Sequence, residues 1–273
     1  MEYTLSAEEF SMALSLINRP DLGKAVLNEV FGELSSTAIE ERLKAASHSL
    51  LARGYARIGT NGIAMLSDDL QKALTPIVAF KGMIQVVVNG TATIIMNAHL
   101  GTHGDATSHW VEQGVVHRIL YGSQEHLVDM VSRIVSIPQT IPARLAALIQ
   151  SGNSKILMET FAELTGMDAE KITKVLLNEG WDSALSEALR DDLIQPLVRG
   201  SVCYLDVDAV NIEKQNPEMA VTGLYYLVGK SGWILTFSKT EKEPIGLLIP
   251  GTRANFEKQF KELQRKKSEA FIR

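Results

Sequence analysis

The chain has 273 residues, of which 45% are hydrophobic and 22% charged, with a formal net charge of −5. That composition belongs to a globular protein and excludes a disordered one. The acidic balance lacks the basic excess through which nucleic-acid binders neutralise phosphate, and no apolar run approaches the roughly 20 residues a membrane span needs.

In chain order, Ser6-Ala7-Glu8-Glu9 reads as a capping box, followed by Phe10, Leu14 and Ile17 at helical spacing. Asn18 to Asp21 breaks that helix, and a second covers Leu22 to Phe31 and ends at Gly32. Ser35 or Ser36 opens a third, running through Ile39, Leu43, Ala46 and Leu50 to Gly54. After a turn at Gly59 to Gly62, Leu66, Leu70 and Leu74 predict a fourth helix that stops before Pro76.

The period then changes to that of strands. Met83–Val88 and Ala92–Ala98 flank Asn89-Gly90, a hairpin signal, and Trp110–Glu112 and Val115–Tyr121 meet near Gln113-Gly114. A helix with Leu127, Met130, Val131 and Ile134 follows, then a linker from Ile137 to Pro142.

The same order is expected a second time. Helices are predicted over Ala143–Gln150, Ser154–Leu164, Ala169–Asn178 and Ser183–Leu197. Strands follow at Val202–Val207, Val221–Val228, Gly232–Phe237 and Ile245–Leu248, and a last helix carries Phe256, Phe260 and Leu263. The reading is therefore an α+β protein of two pseudo-symmetric halves, residues 1–138 and 139–273, each with helices, an antiparallel sheet and a closing helix. Leu50-Leu51-Ala52-Arg53-Gly54-Tyr55 is echoed by Leu176-Leu177-Asn178-Glu179-Gly180-Trp181, and Leu66, Leu70, Leu74 and Pro76 by Leu185, Leu189, Leu193 and Pro196, as an internal duplication would leave.

Five of the six histidines lie between positions 99 and 126. His99, His103, Asp105 and His109 could supply three imidazoles and a carboxylate, donors that suit zinc. Gly101 and Gly104 place them on a strand-connecting loop rather than a helix face, so their spacing matches no metal motif, and a polar loop is the plainer expectation. Gly229-Lys230-Ser231 has the ending of a phosphate loop, but Leu224 stands where the first glycine is required and another strand follows, so it reads as a hairpin turn. Residues 35–74 have the order of a winged helix, yet carry five Lys/Arg against four Asp/Glu, and protein binding is favoured there over DNA binding. The single cysteine, Cys203, sits in a strand pattern and reads as an inert thiol of a reducing compartment. No catalytic triad, paired-carboxylate motif or dinucleotide fingerprint occurs, so neither catalytic residues nor a cofactor are expected.

Leu50 to Tyr55, then Leu66 to Pro76, then the antiparallel strands and a helix ending near Pro138, resemble the EspG family of type VII secretion-associated chaperones. Its members show an L-x-x-R-G-L helix end and an L-x-x-L-x-x-L-x-x-P helix. The resemblance implies a pseudo-two-fold fold with a central sheet and two helical bundles. It also implies a non-enzymatic cytoplasmic chaperone whose partner is a helical secreted protein, a PE–PPE pair. The first expectation is thus a protein-binding adaptor. Tyr225, Tyr226 and Trp233 on the apolar hairpins are its candidate contact residues. The alternatives are a metal-dependent enzyme using the His99–His109 loop and a winged-helix regulator. No nucleic-acid or membrane partner is expected. The N-terminal residues do not form a signal peptide.

Overall fold

The computed structural model describes all residues except 61, 152–153, 207–220, 240–243 and 271–273. Position 61 of the expected Gly59–Gly62 turn and Val207, the last residue of an expected strand, lie outside the described residues.

The chain opens with strand β1 (Glu2–Ser6) and helices α1 (Ala7–Leu16), α2 (Pro20–Phe31) and α3 (Ser36–Ala52). The short pair β2 (Ala56–Ile58) and β3 (Ala64–Leu66) leads into α4 (Asp68–Val78). Strands β4 (Gly82–Asn89), β5 (Thr93–Leu100), β6 (Asp105–Glu112) and β7 (Val116–Ser123) follow, then α5 (Gln124–Ile134). The remainder is α6 (Ala143–Ser151), β8 (Lys155–Leu157), α7 (Met158–Leu164), α8 (Ala169–Asn178), α9 (Ser183–Ile194), β9 (Val198–Asp206), β10 (Val221–Val228), β11 (Gly232–Lys239), β12 (Pro244–Pro250) and α10 (Arg253–Ala270). The protein is α+β, with antiparallel strand pairing.

The elements form two units. Unit 1 is Met1–Met83 with Met96–Leu127, and unit 2 is Ile84–Ile95 with Val128–Arg273. In unit 1 the strand order is β1-β7-β6-β5, with the sequence-distant β1 paired to β7 through Tyr3↔Ile119 and Leu5↔His117. In unit 2 the order is β4-β9-β10-β11-β12-β8.

Unit 1 is built around Leu5, Phe10, Leu14, Leu50, Leu70, Leu74 and Ile119, all 2% exposed or less. The leucines of α3 and α4 recur at one face of each helix, with which α4 packs on β6 and β7 of the sheet and α3 packs on α1. The start of α1 is fixed by its capping box: Ser6 Oγ accepts from the Glu9 N–H, and the Ser6 N–H donates to Glu9 Oε2. That carboxylate also takes the Ser49 hydroxyl of α3 and the Arg53 guanidinium, so one side chain caps α1 and ties it to α3. Unit 2 has its own core of Leu164, Ile172, Leu176, Trp181, Leu185, Leu189, Leu227, Trp233 and Leu248.

One helix end occurs twice. In unit 1 the Gly54 N–H donates to Leu51 O and the Tyr55 N–H to Leu50 O; in unit 2 the Gly180 N–H donates to Leu177 O and the Trp181 N–H to Leu176 O. Both glycines have φ in the left-handed region, +69° and +82°, as a glycine-terminated helix requires. The next helix in each unit has its cap three residues before the first buried leucine, Ser67 before Leu70 and Asp182 before Leu185. This register sets Leu70 against Leu185, one turn away from the Leu189 suggested by the sequence echo.

The structure corrects three element boundaries. Helix α4 does not stop before Pro76 but runs to Val78, with Pro76 itself buried. Proline lacks only the N–H that would bond Lys72 O, and the Ala79 N–H closes on Thr75 O beyond it. The expected helix from Ser154 begins instead with strand β8, because Ile156 pairs with Gly246 of β12. The loop from His99 to His109 is mostly strand: β5 reaches Leu100 and β6 begins at Asp105.

Candidate functional site

Each residue singled out from the sequence now has a place. His99 is on β5, buried, with its ring edge against Phe80 at 5.0 Å and its Nδ1 without a hydrogen-bond partner. His103 is exposed on the β5–β6 turn. Asp105 starts β6 and serves that turn, its Oδ1 accepting from the His103 N–H at 3.2 Å and its carbonyl from the Gly101 N–H at 2.9 Å. His109 lies further along β6, where its Nε2 is 2.9 Å from Nδ1 of His117 on β7. The expected ligand set is therefore not gathered: its carboxylate closes a turn, His103 faces solvent, and His109 is joined to a histidine outside the set. Among the described residues no group of three or more His, Cys, Asp or Glu side chains is arranged to hold a metal ion.

The pair His109–His117 is what the sequence reading missed. Val111 pairs with His117 and His109 with Ile119, so the two imidazoles are diagonal neighbours on one face of the β6–β7 hairpin. Their rings are parallel within 7° at 5.1 Å, and Phe10 of α1 stacks on both, at 4.9 Å from His109 and 4.4 Å from His117. Burial pulls the His117 and His99 imidazoles down to about 4, and burial together with the neighbouring His117 and His99 pulls His109 well below the usual range. All three are neutral at pH 7. Two histidines eight residues apart around a Gln113-Gly114 turn were the available signal.

Unit 2 reverses the expectation for the candidate contact residues. Tyr226 and Trp233 are core residues, 0% and 2% exposed, and Tyr225 is half-buried with its ring against Phe161 at 5.4 Å. They are not a free contact surface. Their polar tips are bound internally: Tyr226 OH donates to Val87 O at 2.7 Å, and Trp233 Nε1–H donates to Asp192 Oδ2 at 2.7 Å. The Gly229–Gly232 turn is the expected β10–β11 hairpin turn, and the anion its amides hold is the protein's own. The Lys230 and Ser231 N–H groups both donate to the buried carboxylate of Asp192. Gly229 is required there because a Cβ would fall on that carboxylate.

Large apolar side chains do reach the surface elsewhere. On the β2–β3 hairpin of unit 1 they are Ile58, Ile63 and Met65, 56%, 60% and 45% exposed. This is the wing position of the winged-helix expectation, and among its described side chains hydrocarbon is exposed beside Arg57, which is paired with Asp68. In unit 2 a surface groove of α8 and α9 is lined by Thr173, Lys174, Leu177 and Arg190, with Leu177 exposed. Among the described residues no helix is long and apolar enough to cross a membrane. Burial raises the Cys203 thiol pKa, as an unreactive thiol requires.

The fold has a known likeness. The chain is similar to the type VII secretion system chaperone EspG5 of Mycobacterium tuberculosis, whose structure is known in complex with a PE25–PPE41 dimer. The match covers 97% of this chain and 96% of that one, with a TM-score of 0.66 and 11% sequence identity. At that identity the likeness is one of fold. No family model and no curated protein matches the sequence.

Proposed function

We propose that this chain is a non-enzymatic, cytoplasmic chaperone or adaptor that holds a helical client protein destined for secretion. The observation that carries the reading is the likeness to EspG5 over the whole chain. A fold supports many functions, so the likeness supplies a class and not a client. Two features support the class. The exposed Ile58, Ile63, Met65, Leu177 and Leu197 provide hydrocarbon of the kind that shields a client's apolar surface. The repeated helix ends at Gly54 and Gly180 support an internal duplication of the halves 1–138 and 139–273, as a pseudo-two-fold chaperone fold requires.

The test is recovery of the tagged full chain from its native lysate, with mass spectrometry of what accompanies it. The recovered partner is then produced with and without the chain. A stoichiometric helical partner that is insoluble alone and soluble in company supports the reading. A chain recovered alone, or a partner equally soluble without it, overturns it.

A further inference from the structure

The stack of Phe10, His109 and His117 joins α1 to the β6–β7 hairpin inside unit 1, and its chemistry allows one protonation state. The facing nitrogens, His109 Nε2 and His117 Nδ1, share a single proton across 2.9 Å. His117 Nε2 is buried and has no hydrogen-bond partner. An orphaned N–H is rarer in folded proteins than an orphaned acceptor, so the proton is assigned to Nδ1 of His117, which donates to His109 Nε2. One more proton has no satisfactory position. On His117 Nε2 it creates a buried donor without an acceptor. On His109 Nε2 it sets two N–H groups against each other until His117 gives up its own proton and takes one at Nε2 instead.

The surroundings do not rescue the cation. On β5, His99 faces the same side of the sheet, is neutral, and repels an imidazolium if it charges. On β1 and β7 the groups sharing that face are the phenols Tyr3 and Tyr121, and on β6 Asp105 is engaged with the β5–β6 turn. On α1, Glu8 is paired with Arg42, and Glu9 is held by Ser6, Ser49 and Arg53. On α4, Asp69 acts on Tyr3. Among the described residues no carboxylate hydrogen-bonds either ring. Phe10 offers one imidazolium a cation–π contact, which softens the first protonation but not the second.

We propose that the Phe10–His109–His117 stack is an acid-sensitive latch, and that proton uptake at the imidazole pair releases α1 from the β6–β7 hairpin. The sign follows from linkage. These histidines titrate near 6.5 when unfolded and lower when folded, so the folded unit binds fewer protons. The latch is at full strength above pH 6.5 and weakens as pH falls from there toward 4. Each histidine kept neutral by the fold steepens local opening by up to about tenfold per pH unit in that window.

The experiment is hydrogen exchange on the full chain in chelator-containing buffer between pH 7.5 and 5. Amides Phe10–Leu14 of α1 are compared at each pH with amides Leu185–Leu193 of α9, which cancels the intrinsic pH dependence of exchange. The expected result is a rise of about tenfold or more in the opening of α1 relative to α9. It is accompanied by imidazole proton resonances of His109 and His117 that keep their neutral positions below pH 6. His117→Phe, which preserves the stack and removes one titration, is expected to flatten the curve. A ratio that stays constant in the wild-type chain, or imidazoles that titrate near 6.5 while α1 remains protected, overturns the proposal. Both wild-type readings decide it even if the variant does not fold.

Discussion

Trp233 donates its indole N–H to a carboxylate oxygen of Asp192 at 2.7 Å, inside the core of unit 2. Asp192 is 1% exposed and accepts from two backbone amides of the β10–β11 turn as well. It thereby joins helix α9 to the hairpin that carries two of the largest buried rings. Burial raises the carboxyl pKa against the pull of these donors. Asp192→Ala is expected to cost about 2–4 kcal/mol, since three donors lose their acceptor and the Trp233 N–H is left unpaired in the core. Asp192→Asn keeps one acceptor and removes the buried charge, and is expected to cost less. Chemical denaturation followed by tryptophan fluorescence measures both, and equal losses would show that the carboxylate does not organise the turn.

A second relationship explains Gly200. The Tyr226 hydroxyl crosses above it to reach Val87 O, and a Cβ at Gly200 would fall on both groups. Gly200→Ala should therefore destabilise unit 2 by about 2 kcal/mol or more, because overpacking forces backbone to move. Tyr226→Phe removes only the hydrogen bond and should cost about 1 kcal/mol. In the double variant the losses should not add, since the phenylalanine vacates part of the space the new methyl needs. Midpoint shifts for the three variants test this.

Glu9 acts on the acid limb of unit 1 in the same sense as the histidines, since each holds fewer protons in the folded state and loses its contribution on acidification. Its carboxylate is buried, which alone would raise its pKa, but the donors Ser49, Ser6 and Arg53 bring it below the usual range. A depressed carboxylate stabilises the fold above its unfolded pKa and loses that contribution as pH falls through the folded value. Glu9→Gln is expected to cost about 1–2 kcal/mol at pH 7, chiefly the weakened cap and the partly exposed Arg53 pair, and to cost progressively less below pH 4.5. Equal destabilisation at pH 7 and pH 3 would refute the assignment.

The matching helix ends make a paired prediction. Gly54→Ala and Gly180→Ala each place a side chain at a left-handed φ and should each cost about 1 kcal/mol. Thermal unfolding of the two single variants provides the comparison. A loss at only one site would mean that the two ends share a hydrogen-bond pattern without sharing a role.

The α+β class, the first capping box, the helix stops at Gly32, Gly54 and Gly180, and the hairpin turns at Asn89-Gly90 and Gly229–Gly232 were determined by the sequence alone. Each is a local preference: a hydroxyl within reach of a free amide, or a residue that tolerates positive φ. Tertiary structure decided the rest. Strand β1 exists because Tyr3 and Leu5 pair with β7 more than a hundred residues away, although their alternation ahead of the Ser6 cap was a readable hint. Helix α4 passes Pro76 because the surrounding core holds that turn in place. The histidines took their partners from strand register, which joined His109 to His117 and left His103 in solvent. Tyr226 and Trp233 went inside because Val87 O and Asp192, both remote in sequence, could satisfy their polar tips. Burying a polar atom requires a partner, and where that partner stands is fixed by the fold and not by the neighbouring residues.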